Sequence, residues 1–305
     1  MQQKILAVYF TQSGQTKQIL DSFLSPLQNE SVEIEYLNIQ TKRKFPFPWS
    51  IPEFFDTVPE SVEVIPEELE PWSTQRDRYD LIVLAWQPWN LSPSIPSSSI
   101  LQDPKFQQLL KDTPLITIAG CRNMWINAME KIKKILQDTG TRHAGNIALV
   151  DRHHNHLSYY TIFHWLGTGK KTRKWGIFPL PGVSDEDIRG ASVFGEIVLK
   201  HLKANSWDQL QPELVSKGAT PVIYKLMYIE RTAGKIFQKW VNIIRRFPDK
   251  RSSILVAYRY YLATALLIVS PVILLADAIF VRPFNKKKIK KQLDYYTTVE
   301  YNPEI

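Results

Sequence analysis

Five short apolar runs, at residues 5–10, 32–37, 81–86, 115–119 and 147–150, punctuate the first half of this 305-residue chain. Their lengths and their Val and Ile content suit buried strands of a parallel sheet. Helical patterns at 17–24, 106–110 and 127–136 lie between them. The alternation predicts an α/β fold, a doubly wound parallel five-stranded sheet with helices on both faces. Residues 40–78 are the exception: Phe45-Pro46-Phe47-Pro48-Trp49 and Ile51-Pro52-Glu53-Phe54-Phe55 predict a long irregular crossover rather than a plain helix.

Ligands of an open parallel sheet sit beyond the carboxyl ends of its strands, so the loops after each run are the places to look for chemistry. After the first run comes Thr11-Gln12-Ser13-Gly14-Gln15-Thr16, which opens a helix. Backbone N–H groups, hydroxyls and the positive helix end converge there, which suits a phosphate. A triphosphate loop needs a lysine after its last glycine, and a dinucleotide turn needs three spaced glycines; neither is present. One phosphate monoester remains. The pattern resembles the phosphate loop of flavodoxin-like proteins, T/S-x-T/S-G-x-T, and the resemblance implies the phosphate of FMN. The competing reading is an ordinary strand-to-helix turn capped by Ser13.

The third run leads into Trp86-Gln87-Pro88-Trp89-Asn90-Leu91-Ser92-Pro93 and the fourth into Gly120-Cys121-Arg122-Asn123-Met124-Trp125. Both loops pair flat aromatic or sulfur side chains with amides, which a flavin ring needs for stacking and for its carbonyl and imide edges. Gln87, Pro88, Trp89, Asn90, Gly120, Cys121, Asn123 and Trp125 therefore join residues 11–16 as the expected cofactor site. Alone, each tryptophan reads better as ordinary core.

After the fifth run, Asp151 precedes His153-His154-Asn155-His156. The histidines lack the helical spacing and cysteine partners of a zinc site, so no metal is expected there. A histidine at the flavin edge would exchange a proton near neutral pH, which makes His153 and His154 the expected catalytic groups, with a solvated loop as the alternative. Gly167-Thr168-Gly169-Lys170-Lys171 fails as a nucleotide loop because Lys171 replaces the Ser/Thr. Cys121 has no assigned base and is expected to pack against the ligand. As the single cysteine it also excludes an internal disulfide, and with no signal-like segment at the N-terminus a cytoplasmic location is expected.

The net charge of +8 lies wholly in residues 205–305, which carry sixteen Lys/Arg against eight Asp/Glu. The chain therefore divides into a sheet domain, 1–204, closed by a helix that Ser184 caps, and a basic, apolar helical extension, 205–305. Thr220 and Pro221 predict the start of an amphipathic helix in that extension. Residues 260–276 then carry no charge, and 260–281 as a helix would measure about 33 Å, long enough for a hydrocarbon core. Pro271, Asp277 and basic clusters on both flanks argue for a shallow or re-entrant hairpin on an anionic cytoplasmic membrane face. The alternative is a helical cap buried in a homo-oligomer. Nucleic acid is not an expected partner, since no recognised motif is present.

The segments YDLIVLAWQPWNLSPSIP and AGCRNMWINAMEKIKK, with the basic apolar extension, resemble the flavodoxin-like proteins of dialkylresorcinol gene clusters, often labelled dialkylresorcinol condensing enzymes. The resemblance implies an FMN-dependent oxidoreductase that oxidises a hydrophobic cyclohexanedione to a resorcinol lipid, beside a companion ketosynthase that performs the condensation. An NAD(P)H-dependent quinone or flavin reductase and a noncatalytic electron carrier or membrane scaffold are the rival readings.

Overall fold

The computed structural model describes residues 2–29 and 31–304. Strand β1 (Gln3–Tyr9) runs through the hydroxyl loop into α1 (Gln15–Leu24), and β2 (Val32–Asn38) follows. The crossover then holds two short helices, α2 (Ile51–Asp56) and α3 (Val58–Val62), within otherwise irregular chain. Ser50 starts α2 by a reciprocal capping box with Glu53. Next come β3 (Leu81–Trp86), a tight hairpin of β4 (Pro88–Trp89) and β5 (Ser92–Pro93), α4 (Ile95–Gln102) and α5 (Pro104–Leu110). Then β6 (Leu115–Cys121), α6 (Ile126–Asp138), β7 (His143–Val150) and α7 (Asn155–Thr168) complete the sheet and its connections.

The five long strands are all parallel, in the order β2-β1-β3-β6-β7. In chain order these are the second, first, third, fourth and fifth strands, the doubly wound order of the flavodoxin-like fold. Every side chain of β3 is buried, as the central position requires. Alternate residues feed two cores: Leu6, Val8, Ile82 and Leu84 pack with Phe106 and Ile132, and Ile5, Ala7, Leu81 and Val83 pack with Ile19, Phe23 and Val198 on the other face. Strands β1, β6 and β7 extend beyond the apolar runs because flanking residues, among them Gln3, Lys4, Gly120, Cys121 and Asn146, continue the ladders.

Helix α8 (Asp185–Ala204) begins at Ser184, whose hydroxyl accepts the Asp187 N–H, as its sequence predicts. The chain stays on the sheet beyond it: α9 (Leu210–Ser216) buries Leu210 and Leu214 in the second core, and Ala148 N–H bonds Ala219 O at 2.7 Å. That tether delays the next helix. Helix α10 (Tyr224–Arg246) starts after Ile223, not at Thr220 and Pro221, because the preceding residues are held along β7.

The expected hairpin is also corrected. Residues Pro248–Phe284 form one continuous helix, built from α11 (Arg251–Thr264), a wide turn at Ala265–Val269, α12 (Ser270–Ala276) and a second wide turn at Asp277–Val281. Wide i→i+5 turns free the position where Pro271 offers no N–H, so the proline sits within the helix without reversing it. The crossover and this helix dock together. Arg251 bonds Asp56 Oδ1 and both oxygens of Glu60, each at 2.9 Å, above a cluster of Phe55, Val58, Phe237, Val241 and Tyr258. Helix α13 (Lys286–Tyr296) finally returns to the sheet, where the Tyr295 hydroxyl donates to Glu130 at 2.6 Å.

Candidate functional site

The loop after β1 turns at Gly14, where φ is +88°, a conformation that glycine adopts without strain. Gly14 caps α1 with no side chain over the helix end, so the first-turn amides remain open to a ligand. Ser13 does not cap the helix. Thr11 Oγ1 is buried without a hydrogen-bond partner, and an unpaired buried hydroxyl beside a helix N-terminus fits a phosphate oxygen. Amide side chains bind this loop to its neighbours. Gln15 bonds the backbone of Val183 in both directions, at 3.0 and 3.1 Å. Thr16 donates to Gln87 at 3.4 Å, and Gln87 reaches Gln12 at 3.5 Å.

Gln12, Ser13, Gln15 and Thr16 line a cavity of about 320 Å³. Gln87, Pro88, Trp89, Asn90, Gly120 and Cys121 line it as well. Asn90 and Leu91 both take positive φ, the tight turn that swings this hairpin over the cavity. Trp89 is fixed by Trp49 at 4.8 Å and Phe45 at 5.0 Å between ring centres. Gly120 allows close passage, since a Cβ there would stand 2.9 Å from Ile19 Cδ1. Burial pushes the Cys121 thiol far above its usual range, so it packs as a neutral apolar group.

Not every expected residue reaches the cavity: Thr11 and Gly14 of the first loop do not line it. Trp125 is fully buried among core side chains, and Asn123 turns its amide to Ser158 at 3.4 Å. His153 and His154 are also absent from the cavity wall: Nδ1 of His153 pairs with Asp151 at 2.7 Å, and His154 caps α7 through the His156 N–H. Local polar bonds hold both rings at the loop surface, outside the cavity wall.

The sequence reading missed the rest of the wall. Phe47, Trp49 and Phe54 come from the crossover, Tyr159, Phe163 and Trp165 from α7, Ile229, Ile236 and Phe237 from α10, and Leu262, Leu266 and Ile273 from the long helix. The aromatic density of 45–55 was the available signal. Arg122 also lines the cavity, from the very loop read for amides and sulfur. The opposite face of the long helix points outward: Ile268, Val272 and Leu275 are 64, 63 and 63 % exposed, at helical spacing.

No protein family and no curated protein matches the sequence. Among solved structures, a flavoprotein from Lactobacillus acidophilus NCFM in complex with FMN is 14 % identical over 48 % of this chain and 93 % of its own, with a TM-score of 0.38. A putative flavoprotein from Bacteroides uniformis ATCC 8492 is 13 % identical over 54 % of this chain and 99 % of its own, at 0.37. A flavodoxin from the domain Archaea is 12 % identical over 66 % and 99 %, at 0.34. The fold assignment stands on the strand order and parallel pairing rather than on these likenesses.

Proposed function

We propose that the protein is an FMN-dependent oxidoreductase that removes two hydrogens from a hydrophobic cyclic dione and releases an aromatic resorcinol. One observation carries the reading: the hydroxyl and amide loops that suit a flavin phosphate and ring open into the same cavity as an apolar wall built by α10 and the long helix. Bound FMN would supply a hydride acceptor. The protein's own part is to hold the phosphate at residues 11–16, to present Gln87, Asn90 and Trp89 to the ring, and to keep water from the reacting carbon with Phe237, Leu262 and Leu266. Oxidation of the dione would deliver a hydride to that acceptor and release a proton to solvent. Burial keeps the Tyr159 phenol protonated, so it serves as a hydrogen-bond donor to a substrate oxygen rather than as the base.

A membrane-side position at the cytoplasmic face completes the reading, with a companion ketosynthase as the source of the dione. It is supported by the exposed apolar stripe at Ile268, Val272, Leu275 and Ile279 and by the lysines of α13. The test uses purified full-length protein. Heat-released flavin should be FMN, and a dialkylcyclohexanedione supplied in air should be converted to the resorcinol. Protein that neither retains nor takes up FMN would overturn the reading, and NAD(P)H consumption without dione oxidation would replace it with a reductase.

A further inference from the structure

Arg122 is a cation in the wall of an otherwise uncharged cavity. No other Asp, Glu, Lys or Arg lines it among the described residues. Its bonds go to neutral groups: Nη1 donates to Asn155 O at 3.0 Å, Asn155 Oδ1 at 2.6 Å and Ser158 Oγ at 3.2 Å, while Nη2 meets only the Met124 sulfur, at 3.9 Å. No carboxylate forms an ion pair with it among the described residues. Asp151, the strongest opposite charge acting on it, spends its oxygens on His153 and the Gly182 N–H. Glu230 is held up to about 8 by burial and is mostly neutral at pH 7. A half-buried guanidinium with no carboxylate bonded to it is costly to hold, and its Nη2 side, met only by the Met124 sulfur, can receive an anionic oxygen.

We infer that the cavity takes an amphiphile with one anionic oxygen group, a carboxylate or enolate, which Arg122 binds while the apolar body lies along Phe237, Leu262, Leu266 and Ile273. The inference deepens the proposed oxidation and rests on its reading of this cavity as the reaction chamber. It makes Arg122 the residue that selects substrates, favouring an ionised ring or chain end over a neutral one. The other donor surface at the cavity, the amides of the 11–16 loop, is separate and belongs to the phosphate.

Dodecanoate and dodecanol have the same chain and differ in charge, so they serve as probes below their aggregation concentrations. Titrated calorimetrically into full-length protein at neutral pH, dodecanoate should bind at least about tenfold more tightly than dodecanol. Arg122→Gln should erase that preference, and Arg122→Lys should restore part of it. Equal binding of the two probes by the parent protein overturns the inference, as does a preference that survives in Arg122→Gln. If the glutamine variant does not fold, the parent comparison and the lysine variant still decide. Flavin content is measured on every sample. FMN retained without carboxylate preference sinks this inference alone; carboxylate preference without FMN uptake sinks the flavin reading alone.

Discussion

Asn127 and Glu230 are joined twice: the Glu230 carboxyl accepts the Asn127 backbone N–H at 2.8 Å, and the Asn127 side chain donates to the Glu230 carbonyl at 2.7 Å. The pair fastens α10 across the start of α6. The carboxyl carries no exposed surface, and its Oε2 has no partner. Burial pushes its pKa up to about 8, against an ordinary value of 4.5. Between those values the folded protein retains a proton that the unfolded chain has released, so stability falls as pH rises through this window and levels off above it. Glu230→Gln should flatten that slope. Melting temperatures measured at weakly acidic, neutral and alkaline pH should show the variant gaining on the parent as pH rises; a constant difference would refute the account.

Glycines on α8 give a paired test of packing. A Cβ at Gly195 would lie 1.9 Å from the Phe23 carbonyl oxygen on α1, whereas Gly190 has nothing within 4 Å. Gly195→Ala should therefore destabilise by about 1–3 kcal/mol or more. Gly190→Ala, at a helical position facing open space, should stabilise by about 0.5–1 kcal/mol. Urea denaturation of both variants measures the contrast, and similar effects from the two would mean the helix contact is looser than described.

The phosphate loop predicts a cofactor defect without a fold defect. On the proposed reading, Thr11→Ala with Ser13→Ala would remove hydroxyls that hold the phosphate, each bond worth about 1.5–3 kcal/mol. FMN affinity should drop by roughly two orders of magnitude or more while the melting temperature of the flavin-free protein changes little. Full occupancy in the purified double variant is the contrary result.

The outward stripe of the long helix and the lysines of α13 should act together on an anionic bilayer. Changing Lys286, Lys287, Lys288, Lys290 and Lys291 to glutamine removes about 1 kcal/mol of surface attraction per charge. Sedimentation with vesicles of anionic phospholipid should fall steeply, added salt should weaken the parent protein's binding, and FMN content should stay the same. If the stripe instead meets a second copy of the chain, the glutamine variant will sediment as the parent does.

How much of this was legible in the sequence follows from which interactions are local. Buried parallel strands announce themselves as apolar runs, and Ser184 with three acids behind it marks a helix start from neighbouring residues alone. The strand-to-helix turn at Gly14 was readable for the same reason. The start of α10 was not, because a hydrogen bond from β7 to Ala219 sets it, across some seventy residues of chain. Nor could spacing show that Pro271 would be absorbed by a wide turn, or that Asp151 would draw His153 away from the cavity. Arg122 stood in plain view within its loop. Its isolation from carboxylates is a property of the assembled cavity, and no local pattern encodes that.

The Arg251 contacts with Asp56 and Glu60 join segments that lie nearly two hundred residues apart. The phosphate loop and the sheet beneath it come from the first part of the chain, but the greasy ceiling over them is supplied by α10 and the long helix, which a ribosome makes much later. A nascent chain can thus complete its β-sheet while the chamber still stands roofless. Flavin loaded at that stage would sit exposed to oxygen and water, so the order of synthesis itself calls for closure before turnover.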